Sequence, residues 1–210
     1  MRVEAAGSVR WFSWRRTQRH RPGLQYLVST GRQHGFESLE EAKVLLALDF
    51  AGDLIEVISQ PLRLRFTTVS GWANHIPDFL AISRRGVWLI DVRPHDRIAN
   101  EDWWGFAAAA EAALAGGWHY VVVSRWRANV ATTLGTLASR RLLETDPLNL
   151  EPTLLDAATG GATFGELAAN TEAPAVSRAQ LLRLLWRRQL GIDLSEPLTD
   201  DSWVLRRETP

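Results

Sequence analysis

Cysteine is absent from this 210-residue chain. That excludes disulfides, thiolate zinc sites and cysteine nucleophiles. Lysine is nearly absent: Lys43 is the only one, and every other basic residue outside the histidines is arginine. A site that needs a lysine must therefore use Lys43. No apolar run is long enough to cross a membrane. The first residues are arginine-rich without an apolar core, which is not the pattern of a secretory signal, so a cytoplasmic protein is expected. There is no P-loop, no dinucleotide-binding glycine motif and no G-x-S-x-G elbow. The five histidines show no zinc-ligand spacing.

Formal net charge is zero, yet the charge is unevenly placed. Arg2, Arg10, Arg15, Arg16, Arg19, Arg21 and Arg32 stand against Glu4 near the start, with Trp11, Phe12 and Trp14 interleaved. Such a segment suits a phosphate backbone, with aromatics available for stacking, and Arg15, Arg16 and Arg19 are the DNA-contact candidates there. The alternatives are a solvated arm or a strand that packs its tryptophans on the core.

The pattern along the chain predicts an α/β protein. Residues 1–30 read as a basic arm with short strands at 8–14 and 24–29. A helix is expected over 37–50, with Ser38 as its N-cap. Strands are expected at 54–59 and 62–68. After two further short strands, an alanine-rich helix over 101–114 leads to a buried strand at 118–123. A helix between two strands favours a parallel crossover, hence a mixed sheet. The core is expected to fill 31–145 and to include a helix over 129–143. Residues 146–210 read as a small helical or winged-helix-like domain: helices at 163–170 and 177–189, then strands at 192–194 and 203–206. Arg183 and Arg187 on the second of those helices are the DNA-contact candidates of this part, set against a purely packing role.

The chemistry-bearing residues lie in between. Ile76-Pro77-Asp78-Phe79-Leu80 and Trp88-Leu89-Ile90-Asp91-Val92-Arg93-Pro94 flank the turn-like Ser83-Arg84-Arg85-Gly86. A hairpin is expected, with Asp91 and Arg93 pointing to one side of the second strand and Asp78 beside them. Two carboxylates and a cation on rigid strands can hold a divalent metal against a phosphate. Each residue also has a plainer reading. Asp78 can terminate a turn, and Asp91 can form a buried pair with Arg93. Ser38 and Glu41 fit a capping box.

The ordered series Glu37-Ser38-Leu39-Glu40-Glu41, Ala47-Leu48-Asp49-Phe50, Ser59-Gln60-Pro61, His75-Ile76-Pro77-Asp78-Phe79, Ile90-Asp91-Val92-Arg93-Pro94 and Gly117-Trp118-His119-Tyr120 resembles the TnsA-like endonuclease subunit of heteromeric transposases, within the PD-(D/E)xK nuclease superfamily. The resemblance runs from about Ser8 to Leu143. It implies a restriction-endonuclease-like mixed sheet flanked by helices. It also implies Mg²⁺, with Mn²⁺ as a substitute, held by Glu41, Asp78 and Asp91. The implied reaction is phosphodiester cleavage at transposon ends. The implied partners are double-stranded DNA, a DDE-type transposase and an AAA+ ATPase regulator, in a bacterial, nucleoid-associated setting without a membrane. Glu40 and Glu37 stand behind Glu41 as the helix ligand. The pattern departs at Arg93, where the superfamily has lysine. Arginine stays protonated and cannot act as a base, but it can clamp the scissile phosphate. Lys43 can replace the missing lysine only if Glu40 is the ligand. The alternative function is a non-catalytic DNA-binding or assembly subunit that retains the fold.

Overall fold

A computed structural model describes residues 2–5, 22–143 and 145–207. The chain divides between Arg125 and Trp126 into two compact units, and each is described by itself.

The N-terminal unit contains strands β1 (Arg2–Ala5), β2 (Gly23–Leu27) and β3 (Arg32–Phe36), helix α1 (Leu39–Ala51), and strands β4 (Leu54–Ser59), β5 (Leu62–Thr68), β6 (Gly71–His75), β7 (Phe79–Ser83) and β8 (Gly86–Val92). Helix α2 (Asp102–Ala115) and strand β9 (His119–Val123) complete it. The main sheet is mixed, in the order β4-β7-β8-β9. β4, β7 and β8 are antiparallel neighbours, and β9 returns through α2 to lie parallel to β8, with Trp88 opposite His119. This is the crossover expected of a strand–helix–strand unit. The predicted hairpin is present: Ser83 pairs with Gly86 and Phe79 with Ile90. Gly86 sits at φ 136°, a backbone that favours glycine.

Helix α1 starts where its chemistry says it should. Ser38 caps it by accepting from the Glu41 amide, and Gly52 ends it in the left-handed region. It packs on β2, β3, β4 and β8. The buried Asp49 carboxylate on α1 accepts from the Val28 and Ser29 amides and the Ser29 hydroxyl, pinning the end of β2 to the helix.

Helix α2 contacts β8 and β9 and also the β5–β6 ribbon. Leu62 and Leu64 of β5, Leu89 of β8 and Ala108, Ala109, Ala112 and Ala113 of α2 form one buried cluster, with Phe66, Leu80, Trp118 and Tyr120 packed against it. The alanines let the helix backbone approach both layers, and alternation on β5 turns Leu62 and Leu64 inward while Arg63 and Arg65 face solvent. The strand at 118–123 is not the buried strand expected. Among the described strands β9 is the edge of its sheet, and its residues are half-buried or exposed.

The C-terminal unit contains α3 (Val130–Ala138), α4 (Glu151–Ala157), β10 (Ala162–Thr163), α5 (Phe164–Ala169), α6 (Pro174–Trp186), β11 (Leu190–Gly191) and β12 (Trp203–Arg206). The small sheet has the order β10-β12-β11, antiparallel throughout. Helix α6 is central: α3, α4, α5 and β11 all pack on it, and Leu181, Leu184, Leu185 and Trp186 are buried. The helix expected within a core ending at 145 therefore falls in this unit. α3 buries Leu134 and Leu137 and packs on α6, which moves the boundary from 145/146 to 125/126. Thr163 and Glu166 form a capping box for α5, and Pro174 occupies the first turn of α6.

Candidate active site

Asp78 immediately precedes β7, and Asp91 is the penultimate residue of the adjacent β8. The Asp78 amide donates to the Ile90 carbonyl (3.0 Å), and the Val92 amide donates to Asp78 Oδ2 (2.7 Å). The proline before Asp78 has no N–H to offer the ladder, so pairing resumes at Asp78 itself. The two aspartates thus meet at neighbouring strand ends, as the hairpin reading expects.

Asp91 is 2% exposed. His75 Nε2 lies 2.9 and 3.0 Å from its two oxygens, and the Tyr120 hydroxyl donates to Oδ2 at 2.7 Å. Arg93 is not its partner. The alternative that locked Asp91 and Arg93 as an internal pair is corrected here: Arg93 Nε donates to Asp102 Oδ2 (3.1 Å), at the first turn of α2. Arg93 remains 44% exposed, so its guanidinium keeps donors for a further acceptor.

The His75 ring is held on its other faces by α2. Phe106 meets it edge-on with centroids 6.3 Å apart, and Trp103 meets Phe106 at 5.7 Å. Gly105 leaves room for it: a Cβ there would lie 2.8 Å from His75 Nδ1. In the sequence His75 and Tyr120 stand out only as members of the ordered series, and neither is a candidate partner of Asp91 there. The signal was present in the buried Asp91 itself, which needs donors, but nothing local says which residues supply them.

Glu41 is 9% exposed, and the expected capping box is replaced by a variant in which its carboxylate reaches past the Ser38 amide. Its Oε2 accepts from the Glu37 amide (2.7 Å) and its Oε1 from the Ser38 hydroxyl (2.8 Å). It nevertheless acts on Asp78. Burial first, then the Glu41 charge, push the Asp78 carboxyl well above the usual carboxylate range. Asp91 and Glu37 add to that push, and the Val92 amide opposes it. Burial and the Asp91 charge likewise raise the Tyr120 hydroxyl, which keeps it a proton donor to Asp91. Lys43 pairs with Glu40 at 2.6 Å. Gln60, at φ 50°, donates its backbone N–H to the Asp78 carbonyl (2.7 Å), while its buried Oε1 meets no donor among the described residues.

These donors suit a hard divalent cation in kind. They are oxygens on carboxylates that repel one another in a buried place, and His75 and Tyr120 orient Asp91 as outer partners orient a ligating carboxylate. Among the described residues, no group of three His, Cys, Asp or Glu side chains is gathered as a metal-holding cluster. The cap hydrogen bonds engage both Glu41 oxygens, although each oxygen retains a lone pair for a further partner.

The DNA-contact candidates fare unevenly. Arg15, Arg16 and Arg19 lie outside the described residues, as does the strand expected at 8–14. Arg187 is exposed at the end of α6. Arg183 is a correction. It is 4% exposed, donates to the Leu143 carbonyl (2.8 Å) and to Glu151 Oε2 (2.6 Å), and serves the interior of its unit. Arginine spacing on a helix does not say which residue faces inward when three other helices pack around it.

No family model matches the chain, and no curated protein matches it. Among the described residues, no helix is long and apolar enough to cross a membrane.

Proposed function

We propose that the chain is a metal-dependent DNA endonuclease subunit of a heteromeric transposase, with a restriction-endonuclease-like N-terminal unit and a winged-helix-like C-terminal unit. The observation that carries this reading is the meeting of Asp78 and Asp91 at adjacent strand ends within electrostatic reach of Glu41. The order α1, three antiparallel strands, α2, parallel strand agrees with it. So does the sequence resemblance to TnsA-like subunits, which supplies the transposon ends, the DDE-type transposase and the AAA+ regulator.

On this reading Asp78 and Asp91, with Glu41, would hold Mg²⁺ or Mn²⁺. When bound, the cation would lower the pKa of a water and stabilise charge on the phosphate. Asp78 must give up its proton to serve, so the pressure of Glu41 and Asp91 on it is the counterpart of cation affinity. His75 and Tyr120 hold the Asp91 carboxylate in one orientation. Arg93 cannot accept a proton, and its exposed guanidinium faces the task of binding a phosphate oxygen.

The test is nicking of transposon-end DNA by the chain together with its transposase, in Mg²⁺ and in Mn²⁺. Nicking that Asp78→Ala abolishes and Arg93→Lys keeps or raises supports the reading. Intact DNA or transposase binding with no nicking by the wild type favours the non-catalytic assembly subunit. One observation speaks for that second reading: protein donors already engage the oxygens of both Glu41 and Asp91.

A further inference from the structure

The β5–β6 ribbon has one face committed to α2 and the opposite face open. Leu62 and Leu64 turn inward, whereas Arg63, Arg65 and Thr67 on β5 and Trp72 and Asn74 on β6 are exposed. Register places Thr67 opposite Trp72 and Arg65 opposite Asn74, so these side chains share one face. Trp72 is 69% exposed, and the Arg65 guanidinium lies over its ring, 4.8 Å from the centroid. Arg32, Arg85 and Arg93 of the same unit each pair with a carboxylate, whereas Arg65 stacks on a ring. Strand β1 pairs antiparallel along the other edge of β5, and its register sets Arg2 opposite Arg65 and Glu4 opposite Arg63.

A folded unit gains little from displaying a tryptophan with a guanidinium stacked on it. The stacking does, however, hold the guanidinium plane in place with its N–H edge free. Arginine, threonine and asparagine are the side chains that meet phosphate oxygens in DNA complexes. Strand β6 itself runs on from this face toward the candidate active site, with His75 on the opposite, inward face beside Leu64. Trp72 and His75 are separated by roughly 10 Å of extended strand, about three steps along one strand of a duplex.

We propose that the solvent face of the β5–β6 ribbon, centred on Arg65 and Trp72 with Arg63, Thr67 and Asn74, is a DNA-backbone contact surface that holds the duplex beside the candidate active site. It rests on the reading of the chain as a DNA-acting protein. It does not depend on Arg15, Arg16 or Arg19, nor on the C-terminal unit.

The test uses the full chain and a short labelled duplex of arbitrary sequence, with affinity measured over a KCl series in EDTA. Each arginine that neutralises a phosphate contributes about 0.9 to the slope of log affinity against log salt. Arg63→Gln with Arg65→Gln is expected to flatten the slope by that amount per residue. Trp72→Ala is expected to weaken binding, and Trp72→Phe to restore it. All of these positions are exposed, and thermal melts establish that each variant folds.

Unchanged slope and affinity in the folded double variant would overturn the proposal and leave the face to a protein partner. A wild type with no affinity for DNA would overturn it as well. Nicking assays run in parallel separate this from the nuclease reading. A flattened slope with a wild type that never nicks keeps the ribbon and removes the nuclease. A nicking wild type with ribbon variants that bind equally does the reverse.

Discussion

Gly105→Ala is expected to change sign with its background. In the wild-type chain the new Cβ would sit 2.8 Å from His75 Nδ1 and 3.0 Å from its Cγ. That is too close, and the ring is confined by Phe106 and by its bonds to Asp91. Displacing it weakens hydrogen bonds to a buried carboxylate, an interaction of about 1.5–3 kcal/mol. Against this, alanine in a helix interior gains about 1 kcal/mol over glycine. A net loss of about 0.5–2 kcal/mol is expected. His75→Ala alone is expected to cost about 1.5–3 kcal/mol, because Asp91 keeps only the Tyr120 hydroxyl among its side-chain donors. In the His75→Ala background the collision is gone, and Gly105→Ala should then stabilise by up to about 1 kcal/mol. The four proteins form a double-mutant cycle, read by urea unfolding followed through tryptophan fluorescence. A Gly105→Ala cost that is the same in both backgrounds would refute the claim that this glycine exists to seat His75.

Asp78 gives a pH prediction. Its folded carboxyl titrates above its unfolded one, so the folded state binds the proton more tightly and stability falls as pH rises through the window above the ordinary aspartate range. Asp78→Asn should therefore be more stable than wild type at neutral pH, with the gain shrinking as the pH falls toward about 4 and absent below it; melts across that range check it. If the acids hold magnesium, a hundredfold excess over Kd should stabilise the wild type by about 2.7 kcal/mol and leave Asp78→Asn unmoved. Arg183→Ala should cost about 3 kcal/mol by stranding Glu151 and the Leu143 carbonyl, whereas Arg187→Gln should stay within about 0.5 kcal/mol, both by chemical denaturation. Ser38→Ala should cost about 1 kcal/mol by removing the α1 cap.

Much of the N-terminal unit was legible in the chain because its signals are local. Strands β4, β5 and β12 fall where alternation and flanking residues put them. The Ser38 cap and the 83–86 turn depend on residues a few positions apart. The same locality explains the misses. Strand β6 carries a tryptophan, an asparagine and a histidine rather than an apolar run, so only its pairing with β5 reveals it. The strand at 118–123 reads as buried because it is apolar, yet its place at the sheet edge is set by its neighbours. Helices α3 and α4 show their allegiance only through packing on α6.

The site divides the same way. By itself the sequence determined that Asp78 and Asp91 lie on facing arms of one hairpin, because strand alternation and turn chemistry are short-range. It also determined that Ser38 caps α1 at the Glu41 amide, since that bond spans one helical turn. Only the tertiary structure decided that Asp91 belongs to His75 and Tyr120, that Arg93 reaches Asp102, and that Arg183 lies inside. Those choices depend on which distant elements pack together. A buried carboxylate or guanidinium must find its counterpart wherever the fold brings one within a few ångströms, and its position in the chain does not say where that is.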